Sequence, residues 1–229
     1  MNYKLTLIAI LALFVSSCAE IETKSQAFPK MYSETEKPLS IVVVPAINNS
    51  TAADAANLVN STLTIPFADN GYYVLPISIV SEIFKKEGII EGSQIQNVPA
   101  GVFKKSFGAD SVLYITINKW DTNYVVVAAN VTVGMSYVLV STSSNEVLWS
   151  YDQQIVIDTS GGSSGFILLD IVQTAINTAM TDYIPIARQV NSTAVATMPF
   201  GNYHPNVGLD AEEKVVLKSA REKAIGQEN

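Results

Sequence analysis

The 229-residue chain has one cysteine, Cys18, and one histidine, His204. No disulfide can form within it, so the fold must rest on a hydrophobic core. A lone histidine would leave zinc to carboxylates, a poor donor set for that ion. Asp54, Asp69, Asp110 and Asp121 are scattered at expected helix caps and strand ends, which argues against a metal or other cofactor. Charged residues are scarce, 15% of the total, and the balance is acidic at a formal −7. The basic footprint of a nucleic-acid binder is absent. Lys85-Lys86 and Lys104-Lys105 each fall near an expected helix end, where cations complement the helix dipole. No glycine fingerprint for a dinucleotide, no phosphate loop and no internal repeat is visible. Nor does any apolar run reach the roughly 20 residues needed to cross a bilayer.

The longest apolar run, Leu5 to Val15, is only eleven residues. It follows one positive charge, Lys4, and leads through small residues to Val15-Ser16-Ser17-Cys18. Charged n-region, apolar h-region and small-residue cleavage site make a secretory signal over residues 1–17. A cysteine directly after the site is the requirement of a bacterial lipoprotein signal. There the thiol is acylated and becomes the first mature residue, so Cys18 is the expected lipidation site. Two or three acyl chains anchor firmly, since each buried methylene contributes about 0.8 kcal/mol. Ala19, rather than aspartate, follows the cysteine; this favours the outer membrane, facing the periplasm.

Residues 18–39 mix Glu, Thr, Lys, Ser and Pro without periodicity and read as a lipidated tether. If flexible, such a segment reaches about 25 Å. The globular domain is expected over 40–190. It opens with Ile41-Val42-Val43-Val44-Pro45, a continuous β-branched run suited to a strand covered on both faces. Ala52, Ala55, Ala56, Val59, Leu63 and Phe67 then recur at helical spacing, with Pro66 expected to bend or end that helix. Tyr72 to Leu75 reads as a strand. Short helices follow, stopped at Gly88 and Gly108. From Ser111 the period changes to two: a strand to Trp120, a long one from Tyr124 to Val140, a turn at Ser143-Ser144-Asn145, and a return from Glu146 to Asp158. Residues 166–183 read as a helix. Asp210 and Glu213 resemble a capping pair for a final helix in a polar tail over 191–229. The pattern is that of an α/β or α+β domain: one mixed sheet of about five strands, with a long antiparallel hairpin and helices packed on it.

Gly161-Gly162-Ser163-Ser164-Gly165 contains Gly-x-Ser-x-Gly, and Asp170 or Asp182 followed by His204 would complete the order of a serine hydrolase triad. The motif's context is wrong, however. It follows an antiparallel hairpin rather than a parallel strand, and a Gly/Ser loop needs only flexibility to explain it. A periplasmic serine esterase therefore trails as a reading, and the chain reads as non-enzymatic.

Three strings carry a resemblance: Val43-Val44-Pro45-Ala46-Ile47-Asn48-Asn49-Ser50, Asp69-Asn70-Gly71-Tyr72-Tyr73-Val74-Leu75-Pro76 and Phe107-Gly108-Ala109-Asp110-Ser111-Val112-Leu113-Tyr114-Ile115. Together, over roughly Pro38 to Pro185, they resemble a Gram-negative lipoprotein family of unknown function that includes a neisserial surface-antigen candidate. Ala46 stands where many members have proline. The resemblance implies a fold like the N-terminal domain of TolB, and genes beside a curli-secretion-channel-like lipoprotein and a second small lipoprotein. It thus implies an accessory of envelope transport or secretion, partnered by those two lipoproteins and by the membrane, and carries no catalytic residue. Self-association is compatible with it, and a stand-alone structural lipoprotein is the alternative. Two contact surfaces are expected. One is the polar-interrupted outer face of the hairpin, with Asn130, Thr132 and Ser136. The other is the final helix, with Val215, Val216, Ala220 and Ile225, although that helix could equally pack on its own domain.

Overall fold

The computed structural model describes residues 21–125, 128–158 and 183–216. The β-branched run forms strand β2 (Ser40–Val43), preceded by a three-residue strand β1 (Ile21–Thr23). Ile41 and Val43 point to one side of the sheet, Val42 and Val44 to the other, and all four are buried. That double burial is what the unbroken β-branched run demands. β3 (Ile47–Asn48), β4 (Tyr73–Val74) and β5 (Ser111–Val125) follow, then β6 (Ala128–Ser141) and β7 (Val147–Asp158). Among the described residues the main sheet has six strands, in the order β4-β2-β5-β6-β7 with β3 also beside β5. β4, β2, β3 and the first part of β5 are parallel. β5, β6 and β7 are antiparallel.

Helices α1 (Lys24–Ala27), α2 (Ala55–Asp69), α3 (Ile77–Lys86), α4 (Gly101–Phe107) and α5 (Ile184–Ala196) complete the described part. α2 and α5 cover one face, where Val59, Leu63, Phe67, Ile186, Val190 and Val195 join Leu113, Met135, Tyr137 and Trp149. α3 and α4 cover the other face, but only over the parallel strands, where Val80, Phe84 and Phe103 meet Val42, Val44 and Val112. α4 stops at Gly108, whose φ of +70° is the left-handed conformation glycine adopts freely. Asp110 then fixes the start of β5 to β2. It accepts hydrogen bonds from the amides of Leu39 and Ser40 and from the Ser40 hydroxyl, and it pairs with Lys104 at 2.6 Å. Burial pushes this carboxyl up, but the donors from Lys104, Ser40 and Leu39 outweigh it and hold the pKa below its ordinary value.

The expected mixed sheet with its long hairpin is present, with six strands rather than about five. Several boundaries differ. β5 runs through the break expected at 120–124: it bulges between Ile117 and Lys119, and Trp120 to Val125 then stay paired with Val133 to Ala128 of β6. Pro66 lies inside α2, which continues to Asp69. Proline at 185 sits in the first turn of α5, where its missing N–H costs nothing. α5 packs into the core, so residues 191–196 are not a polar tail. The helix expected over 166–183 lies outside the described residues except for Tyr183.

The largest correction concerns residues 21–39. They are not a free tether. β1 pairs antiparallel with β8 (Lys214–Val216), Ile21 opposite Val216. Phe28 and Met31 are buried in the main core. Correspondingly, the end of the chain is no helix as far as Val216: residues 210–213 turn, and 214–216 form the strand that closes on β1.

Candidate functional site

Two features built by this fold bear on function: the clasp that joins the N-terminal segment to residues 198–216, and the face of the sheet that α3 and α4 leave uncovered.

The clasp starts three residues after Cys18. Thr23 caps α1, its hydroxyl accepting from the Gln26 amide while the Gln26 side chain accepts from the Thr23 amide. That geometry aims Lys24 inward. Its side chain, 3% exposed, places Nζ 3.2 Å from Asp210 Oδ2 and 2.9 Å from Glu213 Oε2, and 5.1 Å from the centre of the Phe200 ring. Asp210, 0% exposed, also accepts from the Phe200 amide at 2.8 Å. A buried ion pair costs desolvation that only good geometry and further hydrogen bonds repay; here the Phe200 amide supplies one. The backbone reinforces the side chains, since the amides of Lys24 and Ser25 donate to the carbonyls of Glu213 and Ala211. Burial pushes the Tyr32 hydroxyl well above its ordinary pKa, and the charge of Asp210 adds to the rise. Lys37 is pulled down by burial, against the opposing charge of Asp210.

The loop 200–210 docks beside the clasp on Gly71. The Gly201 amide donates to the Asn70 carbonyl and the Tyr203 amide to the Gly71 carbonyl. A Cβ at Gly201 would overlap the Gly71 carbonyl, so only glycine fits this approach. His204 stacks on Phe200 with ring centroids 3.7 Å apart, and its Nδ1 accepts from the Asn206 amide. The histidine of the hydrolase reading is thus a structural element of this loop. Ser163, Asp170 and Asp182 lie outside the described residues. Among the described residues no group of three His, Cys, Asp or Glu side chains is placed to hold a metal.

The second feature is the face of β5, β6 and β7 that, among the described residues, no helix covers; it is called the open face below. Asn118 Nδ2 donates to Ser136 Oγ at 2.7 Å, and Ser136 Oγ donates to Asp152 Oδ2 at 3.0 Å, making a polar ladder across the three strands. Thr132 lies on the same face, half-buried like Ser136. The opposite face of the same strands carries Trp120, Val133, Tyr137, Ile155 and Ile157, all buried. The expected alternation therefore holds. Asn130 is in β6, paired in register with Asp158; its side chain is not among those described.

The structure sets Thr132 and Ser136 on one face of β6 but does not form the other expected surface. Val215 is buried in β8, because it packs into the main core rather than standing on a helix face. Val216 is on the same strand. Ala220, Ile225 and Cys18 lie outside the described residues. What sequence reasoning missed is the clasp itself. Its one local signal is the Thr23-x-x-Gln26 spacing of a capping box; the pairing partners lie 186 residues apart.

Among the described residues no helix is long and apolar enough to cross a membrane. Residues 31–205 match the family described as "Putative lipoprotein GNA1162-like". The chain is 32% identical over 192 residues to the lipoprotein NMB1124/NMB1162 of Neisseria meningitidis serogroup B, which covers 83% of this chain and 86% of that protein. The crystal structure of lipoprotein GNA1162 from Neisseria meningitidis superposes with a TM-score of 0.51 at 31% identity, covering 56% of this chain and 88% of that one. A PelC dodecamer from Paraburkholderia phytofirmans aligns with a TM-score of 0.42 at 13% identity, over 70% of this chain and 88% of that one. With most of its length matched to the family and a relative at that identity, the chain belongs to the GNA1162-like lipoprotein family.

Proposed function

We propose that this lipoprotein is a non-enzymatic accessory of an envelope transport or secretion assembly, lipidated at Cys18 and held on the periplasmic side of the outer membrane. The clasp carries the reading. Only Ala19 and Glu20 separate Cys18 from the paired strand β1. The folded domain is therefore fixed at the bilayer rather than swinging on a leash, as suits a component that presents one face to a neighbour. The face it presents is the open side of β5–β7, with Asn118, Thr132, Ser136 and Asp152. Such a face is polar enough to be stable in water and flat enough to receive a partner. The partner is an envelope component of the kind the sequence resemblance implies, a curli-channel-like lipoprotein.

The test is fractionation and crosslinking in intact cells. Wild type should incorporate a fatty-acid label and stay with the outer membrane; Cys18→Ala should lose both. A crosslinker on the open face should capture a defined envelope protein. A lipidated chain that captures none at native expression would be a stand-alone structural lipoprotein.

A further inference from the structure

The loop between Phe200 and Asp210 exposes apolar side chains that its own construction explains poorly. Tyr203 is 66% exposed, Val207 42% and Leu209 79%. Gly201 to Leu209 contains no Lys, Arg, Asp or Glu. The loop is nevertheless well organised. Its ends are tied by the Phe200 amide to Asp210, and its interior by the amides of His204, Val207 and Leu209, which donate to the carbonyls of Gly201, His204 and Asn206. Gly208, at φ +80°, makes the final turn. These three side chains are thus held outward together on one ordered scaffold.

The loop's position matters as much as its composition. Asp210 is bonded to Lys24, six residues after Cys18, and six residues of extended chain span at most about 21 Å. A domain clasped this close to an acylated cysteine has its clasp side against the lipid. Uncharged loops bearing tyrosine and aliphatic side chains suit the membrane interface, where an amphipathic ring keeps its hydroxyl among the headgroups. We propose that the loop 201–209 is a second membrane contact, with Leu209, Val207 and Tyr203 seated in the bilayer interface beside the lipid anchor. This rests on the reading of Cys18 as lipidated. It assigns the clasp a purpose: rigidly coupling the anchor to an interfacial loop sets the orientation of the open sheet face relative to the membrane.

The test uses the full-length acylated protein, reconstituted into phosphatidylethanolamine/phosphatidylglycerol vesicles containing brominated phosphatidylcholine. Leu209→Trp reports on the loop, and Ile79→Trp, on the outer side of α3, serves as the control. The wild-type chain sets the background from the buried Trp120 and Trp149. Leu209→Trp should show blue-shifted emission that brominated lipid quenches, while Ile79→Trp should show neither. Emission at Leu209→Trp that is unquenched overturns the proposal. If it is blue-shifted in that case, a protein surface covers the loop instead. Quenching at Ile79→Trp in place of Leu209→Trp overturns it too, because the domain would then sit the other way up. A fatty-acid label on the same preparation separates the two layers of the argument. Label without Leu209→Trp quenching removes the loop contact and leaves the lipoprotein reading. Quenching without label does the reverse.

Discussion

Replacing Lys24 with methionine tests the clasp at its electrostatic centre. The substitution keeps most of the side-chain volume and removes the charge. It leaves Asp210, 0% exposed, with the Phe200 amide and the more distant charge of Lys37 but no bonded cation. Breaking a buried pair by removing one partner costs about 3–5 kcal/mol, because the remaining charge is uncompensated. The bond to Glu213 adds little, since that side chain is 56% exposed and screened. For a domain of this size, a loss of that order lowers Tm by about 6–20 °C if the clasp unfolds with the rest. If the clasp opens on its own, the loss appears instead as faster hydrogen exchange at the amides of Lys24, Ser25 and Phe200. Thermal melts and exchange on the same sample therefore capture the effect either way. Lys24→Met combined with Asp210→Asn removes both charges and should recover more than half of the loss. The reasoning is refuted if Lys24→Met changes neither Tm nor exchange at those three amides, or if the double variant is worse than the single one.

Asp110→Ala should cost about 2 kcal/mol at neutral pH, because it strips the acceptor from two amides and a hydroxyl. Since the folded pKa is depressed, the stability that the ionised form contributes is present above the ordinary aspartate value and lost as pH falls through the folded one; denaturant melts of wild type and Asp110→Asn should therefore converge below about pH 4. Tyr137 and Tyr72 are raised well above their ordinary value, first by burial. Their contribution is full below about pH 10 and fades as pH climbs toward the folded value, so a late fraction of the tyrosinate absorbance, that of these two side chains, should appear only together with unfolding. Asn191 accepts from the Tyr137 hydroxyl at 2.6 Å and donates to Thr62 Oγ1 and the Val59 carbonyl, so Asn191→Ala should destabilise by about 1–3 kcal/mol in urea melts with an unchanged m-value.

The parts legible in the sequence were those whose burial is periodic over many residues. β2 and the β5–β7 meander announce themselves because each alternate side chain, from Val131 to Leu139, is committed to one face. That same alternation pointed to Thr132 and Ser136 on the open face, where the structure places them. The clasp left no such trace. β1 and β8 are three residues each, too short for a period, and Lys24 looks like any solvated lysine until Asp210 is folded against it. Asp210 and Glu213 mimic a capping pair in spacing, yet both are spent on Lys24, so the valines after them form a strand. In each case a contact distant in sequence overrode a local signal.

The central claim is that the clasped domain presents the open face of β5–β7 to an envelope partner. The most direct measurement is site-specific photo-crosslinking in intact cells at native expression, with the crosslinking residue placed in turn at Asn118, Thr132, Ser136 and, as a control on the exposed outer side of α3, Ile79. The account predicts one discrete adduct from the open-face positions, identified by mass spectrometry as an envelope lipoprotein, and none from Ile79. No adduct from any open-face position, or the same adduct from Ile79, would contradict it.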